Sequence, residues 1–246
     1  MPIYAPTTTS LTPQTPVTSS LVPAIPVPTH GTGGSFSVLA KTSIAAPPLL
    51  VLEAVRNTSA WPRWNSFCPR CVVDLATSPS AEAGRLAGGR DGAEKRGGAR
   101  RGEKGWLEVG MSVTIEVFMN GDGLIEGRKK SRDQTIVITK MEELRPVDGG
   151  ATGYVIAWKS TGFSHWQLHS ERVMEFVERE GATEYVCWET FGGLLGSVVK
   201  ATVGGQLVDR FGDYARDLKA FVEGGGGAGD GGVDGAGNAV HKNNMS

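Results

Sequence analysis

Nowhere in these 246 residues do roughly twenty apolar residues run together, so no segment has the makings of a bilayer-crossing helix. Prolines interrupt every short hydrophobic stretch of MPIYAPTTTSLTPQTPVTSSLVPAIPVPTHG, and no basic cluster precedes them. That segment reads neither as a signal peptide nor as a membrane span. Charge of one sign is missing too: a formal net charge of -1 gives no general electrostatic grip on nucleic acid or on an anionic membrane. Cysteine is scarce. Cys68, Cys71 and Cys187 cannot close a disulfide framework without leaving one thiol over, which points to a reducing compartment and a cytoplasmic address. Cys68 and Cys71 have C-x-x-C spacing, but no βαβ setting suits a redox pair and no second Cys or His pair stands at zinc spacing. A Gly-x-Ser-x-Gly nucleophile elbow is absent, as is a phosphate-cradling glycine turn between a strand and a helix.

Glycine is what the chain has in plenty, 35 residues, and it is unevenly spread. It gathers between Gly84 and Gly105 and beyond Gly224, so the foldable part is shorter than the whole. We expect one domain over residues 35–222, a low-complexity insertion at 78–105, a Pro/Thr-rich tail at 1–34 and a Gly-rich tail at 223–246. Pro13 with Pro16 and Pro23 with Pro26 have Pro-x-x-Pro spacing, which composition alone produces in a tail of this kind. The insertion holds Arg90, Lys95, Arg96, Arg100, Arg101 and Lys104, yet no aromatic residue interleaves them to stack bases, and acidic residues dilute the charge. It reads as a tolerated loop rather than a nucleic-acid segment.

Hydrophobic period gives the elements. Ser35–Thr42 alternates as a strand with one covered face; Pro47 and Pro48 then suit the start of a helix that carries Leu49, Leu50, Leu52 and Val55 and stops at Asn57. Strands follow at Cys71–Ala76, Trp106–Phe118, Gln134–Leu144, Gly153–Ser160, Leu168–Glu178 and Thr183–Phe191, with turn residues between them, the pattern of an antiparallel meander. Leu207, Phe211, Tyr214, Leu218 and Phe221 recur at i, i+4, i+7, i+11 and i+14, one stripe of a long amphipathic helix. Gly204 and Gly205 cost that helix about 1 kcal/mol each against Ala, unless a close approach needs the missing side chains.

This order and its details resemble the SRPBCC (START, polyketide cyclase, Bet v 1-like) superfamily. The resemblance rests on IAAPPLLVLEAVRNTSAWPRWNSF from Ile44 to Phe67, with its Ala-Pro before the first helix and its Trp-x-x-Trp-Asn corner. Leu107 to Gly110, Gly181 to Thr183 and Glu189 to Leu194 are similar to later strand entries and exits of the same superfamily. It implies an α+β helix-grip fold, a curved antiparallel sheet wrapped around the C-terminal helix, with a mostly apolar cavity between them. Candidate wall residues are Phe118, Tyr154, Ile156, Trp158, Trp166, Phe176, Tyr185, Leu207, Phe211 and Tyr214, for one strand register; a slip of one residue exchanges the faces.

The expected function is the binding or carriage of a small hydrophobic molecule, oriented by groups such as Tyr154, His169 or Glu189, with no cofactor and no protein partner that the sequence names. One alternative is a polyketide cyclase or dehydratase-like enzyme. His169 and Glu171 would supply its acid-base chemistry, since His165, Gln167, His169 and Glu171 share a face if their segment is a strand. A metal is not expected there, because alternate strand positions converge poorly without a third ligand from elsewhere. The other alternative is a protein-interaction scaffold that displays the tails and the Arg-rich loop.

Overall fold

The computed structural model describes residues 15–73, 105–126, 130–144 and 152–226. Residues 1–14, most of the Arg/Gly-rich insertion and 227–246 lie outside the described residues. Eight strands form one antiparallel sheet: β1 (Thr18–Val22), β2 (Gly34–Ile44), β3 (Arg70–Val73), β4 (Ser112–Val117), β5 (Arg132–Leu144), β6 (Gly153–Ser160), β7 (His169–Arg179) and β8 (Ala182–Gly192). Their spatial order is β1-β2-β8-β7-β6-β5-β4-β3. The meander from β3 to β8 is closed by β2, which pairs with β8 from Gly34 opposite Gly192 to Ile44 opposite Thr183. Helix α1 (Pro48–Arg56) and a 3-10 helix (Thr58–Arg63) carry the chain from β2 to the far edge, and α2 (Gly196–Glu223) follows β8. This is the α+β helix-grip architecture.

Alternation along the strands sorts two cores. Val38, Ala40, Ile136, Ile156, Met174, Phe176, Tyr185 and Cys187 pack on the inner face against Leu207, Phe211, Tyr214, Ala215 and Leu218 of α2. The intervening residues Leu39, Val155, Ala157, Val173, Val186 and Trp188 form a separate cluster with Val27 on the outer face. Both faces of β7 and β8 are therefore buried, and their burial shows no alternation.

Pro47 precedes α1 in extended conformation and Pro48 opens it, where a missing N–H costs nothing. The corner after it is fixed by indole and amide groups: Trp61 Nε1 donates to Val55 O at 2.9 Å, and Cys68 N donates to Asn65 Oδ1 at 2.8 Å. Ser66 donates from its N and its Oγ to Asp217 Oδ2, at 3.0 and 2.5 Å, tying the corner to α2. The Gly204–Gly205 pair in α2 has an asymmetric explanation. A β-carbon on Gly204 would stand 3.3 Å from Leu21 of β1, whereas one on Gly205 would meet open space. Only the first glycine serves a close approach.

Residues 15–34 differ from the expected tail. Thr18–Val22 pairs with β2 from Thr18 opposite Lys41 to Val22 opposite Ser37. The segment then folds over the outer face, where Ile25 N donates to Ser37 Oγ at 2.8 Å and Thr190 Oγ1 donates to Ile25 O at 2.6 Å. Val27 and Gly31 exchange backbone hydrogen bonds at 3.0 and 2.9 Å around a tight turn, with Gly31 at φ 61°. Prolines at 16, 23, 26 and 28 conceal this role, because they break the period while sitting at an edge and in turns, where no ladder N–H is required.

Candidate functional site

Between the inner face and the first half of α2 lies a cavity of about 870 Å3, open to solvent at one end. Val199, Val203, Gln206 and Leu207 of α2 form one wall, and Val117 of β4, Met119 just after it and Arg132 and Gln134 of β5 form the opposite one. Ser170 and Phe191 close it from β7 and β8, and Ser160 to Phe163 with Leu168 form the rim. Large apolar side chains stand exposed beside this mouth: Phe163, Trp166, Leu194 and Val198. Leu194 N donates to Trp166 O and Leu195 N to Gln167 O, so the rim loop is bonded to the turn that starts α2.

Two residue pairs further along β7 and β8, on the same face, comes a buried ion pair. Ser170 stands opposite Phe191, and Arg172 opposite Glu189. Arg172 donates from Nε and Nη2 to Glu189 Oε2, both at 3.0 Å, and the guanidinium lies 4.2 Å from the centre of the Phe211 ring. Phe67, Trp158 and Tyr214 also face it, with ring centres at 5.4, 5.9 and 5.8 Å. Burial opposes the charge on Arg172, but Glu189, followed by Cys187, Cys68 and Tyr214, together outweigh it and hold the side chain protonated. Burial raises the pKa of Tyr214 well above the ordinary phenol value although Arg172 opposes the shift. It likewise pushes the Cys68 thiol up to about 12 and the Cys187 thiol to about 11. The hydroxyl of Tyr214, Nε1 of Trp64 and Nδ2 of Asn65 are buried with no hydrogen-bond partner among the described residues. Beyond Ser170 there thus lies a fixed cation with its carboxylate, in an aromatic enclosure that includes Tyr214.

The expected wall residues divide into four groups. Leu207 lines the cavity. Ile156, Trp158, Phe176, Tyr185, Phe211 and Tyr214 face the same side but belong to the filled core deeper in, as does partly buried Tyr154. Phe118 is buried beside the corner, where its N donates to Phe67 O at 2.9 Å, while its neighbours Val117 and Met119 reach the cavity. Trp166 is 63% exposed, because the chain from Gly162 to Leu168 is a loop rather than a strand continuing from β7.

His169 and Glu171 require a correction. They alternate with Ser170 and Arg172, and so stand on the outer face, across the sheet from the cavity. Glu171 accepts from Thr29 N at 2.7 Å, Thr29 Oγ1 at 2.9 Å and Thr139 Oγ1 at 2.7 Å, and His169 lies against His30 and His165. The pair cannot serve a molecule bound against α2. Sequence reasoning missed Arg172, although a charged residue followed at i+2 and i+4 by Met174 and Phe176 is a signal of a buried charge. The C-x-x-C thiols are both free, and burial pushes Cys71 up to about 12 as well, which leaves no reactive thiolate at neutral pH.

The fold and the site define the class: an α+β protein of helix-grip fold with an open cavity beside its long helix. No family profile matches the chain. It is similar to oxopyrrolidines biosynthesis cluster protein O of Penicillium oxalicum, 27% identical over 210 residues that span 80% of this chain and 91% of that protein. Among solved structures it is similar to a hypothetical protein of Helicobacter pylori, at 10% identity and a TM-score of 0.47, covering 89% of this chain and 99% of that one. A major latex-like protein of Panax ginseng, at 11% identity and a TM-score of 0.45, covers 75% of this chain and 95% of its own. A STAR-related lipid transfer protein of Xanthomonas axonopodis, at 9% and 0.43, covers 76% and 85%.

Proposed function

We propose that the protein binds a small, largely apolar molecule between its sheet and the first half of α2. The observation that carries this reading is the open cavity of about 870 Å3, a size in the range of ligand pockets. Its apolar wall of Val117, Met119, Phe191, Val199, Val203 and Leu207 supplies affinity, and Gln206, Ser170 and Arg132 supply orientation. Burial of about 200 Å2 of apolar ligand surface contributes about 5 kcal/mol before the costs of association, so binding needs no catalytic residue. The acid-base alternative has lost its premise for this cavity, since His169 and Glu171 are on the other face of β7.

The ligand class to test first has acceptor oxygens on a compact apolar body. Arg132, Gln206 and Ser170 on the cavity wall would match a carbonyl, and the Penicillium oxalicum relative is named for a cluster that makes oxopyrrolidines. Native mass spectrometry of protein incubated with a panel of small lactams and aromatic polyketides reads the outcome. One adduct per chain that weakens or disappears in Val203→Trp, whose indole projects into the cavity, is the expected result. An adduct that persists unchanged in Val203→Trp would place binding elsewhere and overturn the reading.

A further inference from the structure

The chain has four histidines, and three of them converge on one spot of the outer face. His30 comes from the N-terminal segment, His165 from the rim loop and His169 from the start of β7. One ring nitrogen of each lies within 4.8 Å of the others. The rings of His165 and His169 are stacked with centres 4.0 Å apart, and His30 lies 4.5 Å from His169 and 4.8 Å from His165. Three imidazoles from segments this distant in sequence are the third ligand that alternate strand positions alone could not supply.

Two further observations point to a cation. The Nδ1 of His169 lies 2.7 Å from His165 O. A carbonyl only accepts, so Nδ1 carries a proton, and in the neutral imidazole Nε2 then keeps the lone pair, the arrangement in which a backbone oxygen orients a metal-binding imidazole. That Nε2 is buried without a hydrogen-bond partner, and so is Nε2 of His30. Neither has a donor to occupy it.

The surroundings fix two of the three rings. Thr29 holds Glu171 through its N and Oγ1, and the neighbouring His30 is thereby set in place. A β-carbon on Gly192 would stand 2.3 Å from Nε2 of His169, so this position, opposite His169 in the ladder, has to be glycine for the ring to lie there. His165 is exposed and free to swing out of the stack. The nitrogens must close to about 3.3 Å from one another for a tetrahedral site with metal–nitrogen bonds of about 2.05 Å.

We propose that His30, His165 and His169 bind a divalent transition metal of the zinc class, with a fourth position left to solvent on the side of His165. The metal would pin the N-terminal segment and the rim loop to the end of β7. Because Thr161, Gly162 and Phe163 of that loop also border the cavity, metal binding stiffens its mouth. The site stands independently of what the cavity holds.

Calorimetric titration of the chelator-treated full chain with ZnCl2, together with the visible band of Co2+ in place of Zn2+, tests this. One ion per chain is expected, with a tetrahedral Co2+ spectrum. His165→Ala, at an exposed position, and His30→Gln should each weaken binding at least 100-fold, while His241→Ala leaves it unchanged. Circular dichroism of the variants controls for folding. Undiminished binding in the folded His165→Ala and His30→Gln variants, or loss of binding with His241→Ala alone, would overturn the proposal. So would wild-type affinity no tighter than millimolar.

Discussion

The two faces of this sheet are buried by different means. On the inner face, the aromatic and aliphatic residues of α2 cover Met174, Phe176, Tyr185 and Cys187, and a single ion pair, Arg172 with Glu189, is enclosed among rings. On the outer face, a short apolar cluster around Trp188 is covered by a proline-rich segment held mostly through hydroxyls, carbonyls and the Glu171 carboxylate. A helix buries area continuously along its stripe, whereas an irregular segment satisfies its backbone by side-chain hydrogen bonds at a few points. The inner face should thus set global stability and the outer face local opening.

The largest expected effect breaks the inner face. Arg172→Ala strands Glu189 without its partner in an apolar enclosure and should cost about 3–5 kcal/mol in urea unfolding. The double change Arg172→Met with Glu189→Leu should recover most of that loss, since the apolar pair needs no desolvation of charge. A cost below about 1 kcal/mol for Arg172→Ala would show that the pair is wetter than its geometry implies.

Next comes the outer face. Thr190 Oγ1 lies 2.7 Å from Ser37 Oγ and donates to Ile25 O. Thr190→Val should cost about 1–3 kcal/mol and speed amide exchange at Ile25, Val27 and Gly31 while the amides of α2 keep their protection. Equal acceleration in α2 would mean that the two faces open as one unit.

Thiol chemistry sharpens the contrast without a change in sequence. Burial holds Cys68 and Cys187 as thiols, raised to about 12 and about 11, so a disulfide reagent at pH 8 should leave both unmodified in the folded protein and react with all three cysteines in urea. Rapid native labelling of Cys187 would reveal solvent reaching the inner face.

The smallest effect concerns Asp217. Its partial burial raises its pKa above 3.8, against the hydrogen bonds from Ser66. A folded pKa above the unfolded one means that the native state binds more protons in that window, so this contribution is present at low pH and lost as pH rises through the folded value. The urea midpoint of Asp217→Asn should therefore rise slightly relative to that of wild type between pH 3 and pH 6; a relative fall would contradict the sign.

Legibility in the sequence followed the same division. β6 is bounded as its alternation predicts, at Gly153–Ser160, and α2 contains the whole predicted stripe from Leu207 to Phe221. The side of β7 was not legible, because residues 169–177 are all buried and a two-sided strand has no polar phase to read. His169 and Glu171 were for that reason assigned to the wrong face. The histidine cluster was hidden by distance along the chain: His30 sits among prolines, 135 residues before His165, in a stretch whose composition reads as an unpacked tail.

The central claim is that the ligand site lies on the inner face, beside α2, and is independent of the outer-face histidines. Fluorescence titration with 1-anilinonaphthalene-8-sulfonate, an apolar anion of suitable size, tests it on wild type, Val203→Trp and His165→Ala. The account predicts saturable binding to wild type, an affinity at least tenfold weaker in Val203→Trp, and no change in metal-free His165→Ala. Weakening in His165→Ala with full binding in Val203→Trp would contradict it.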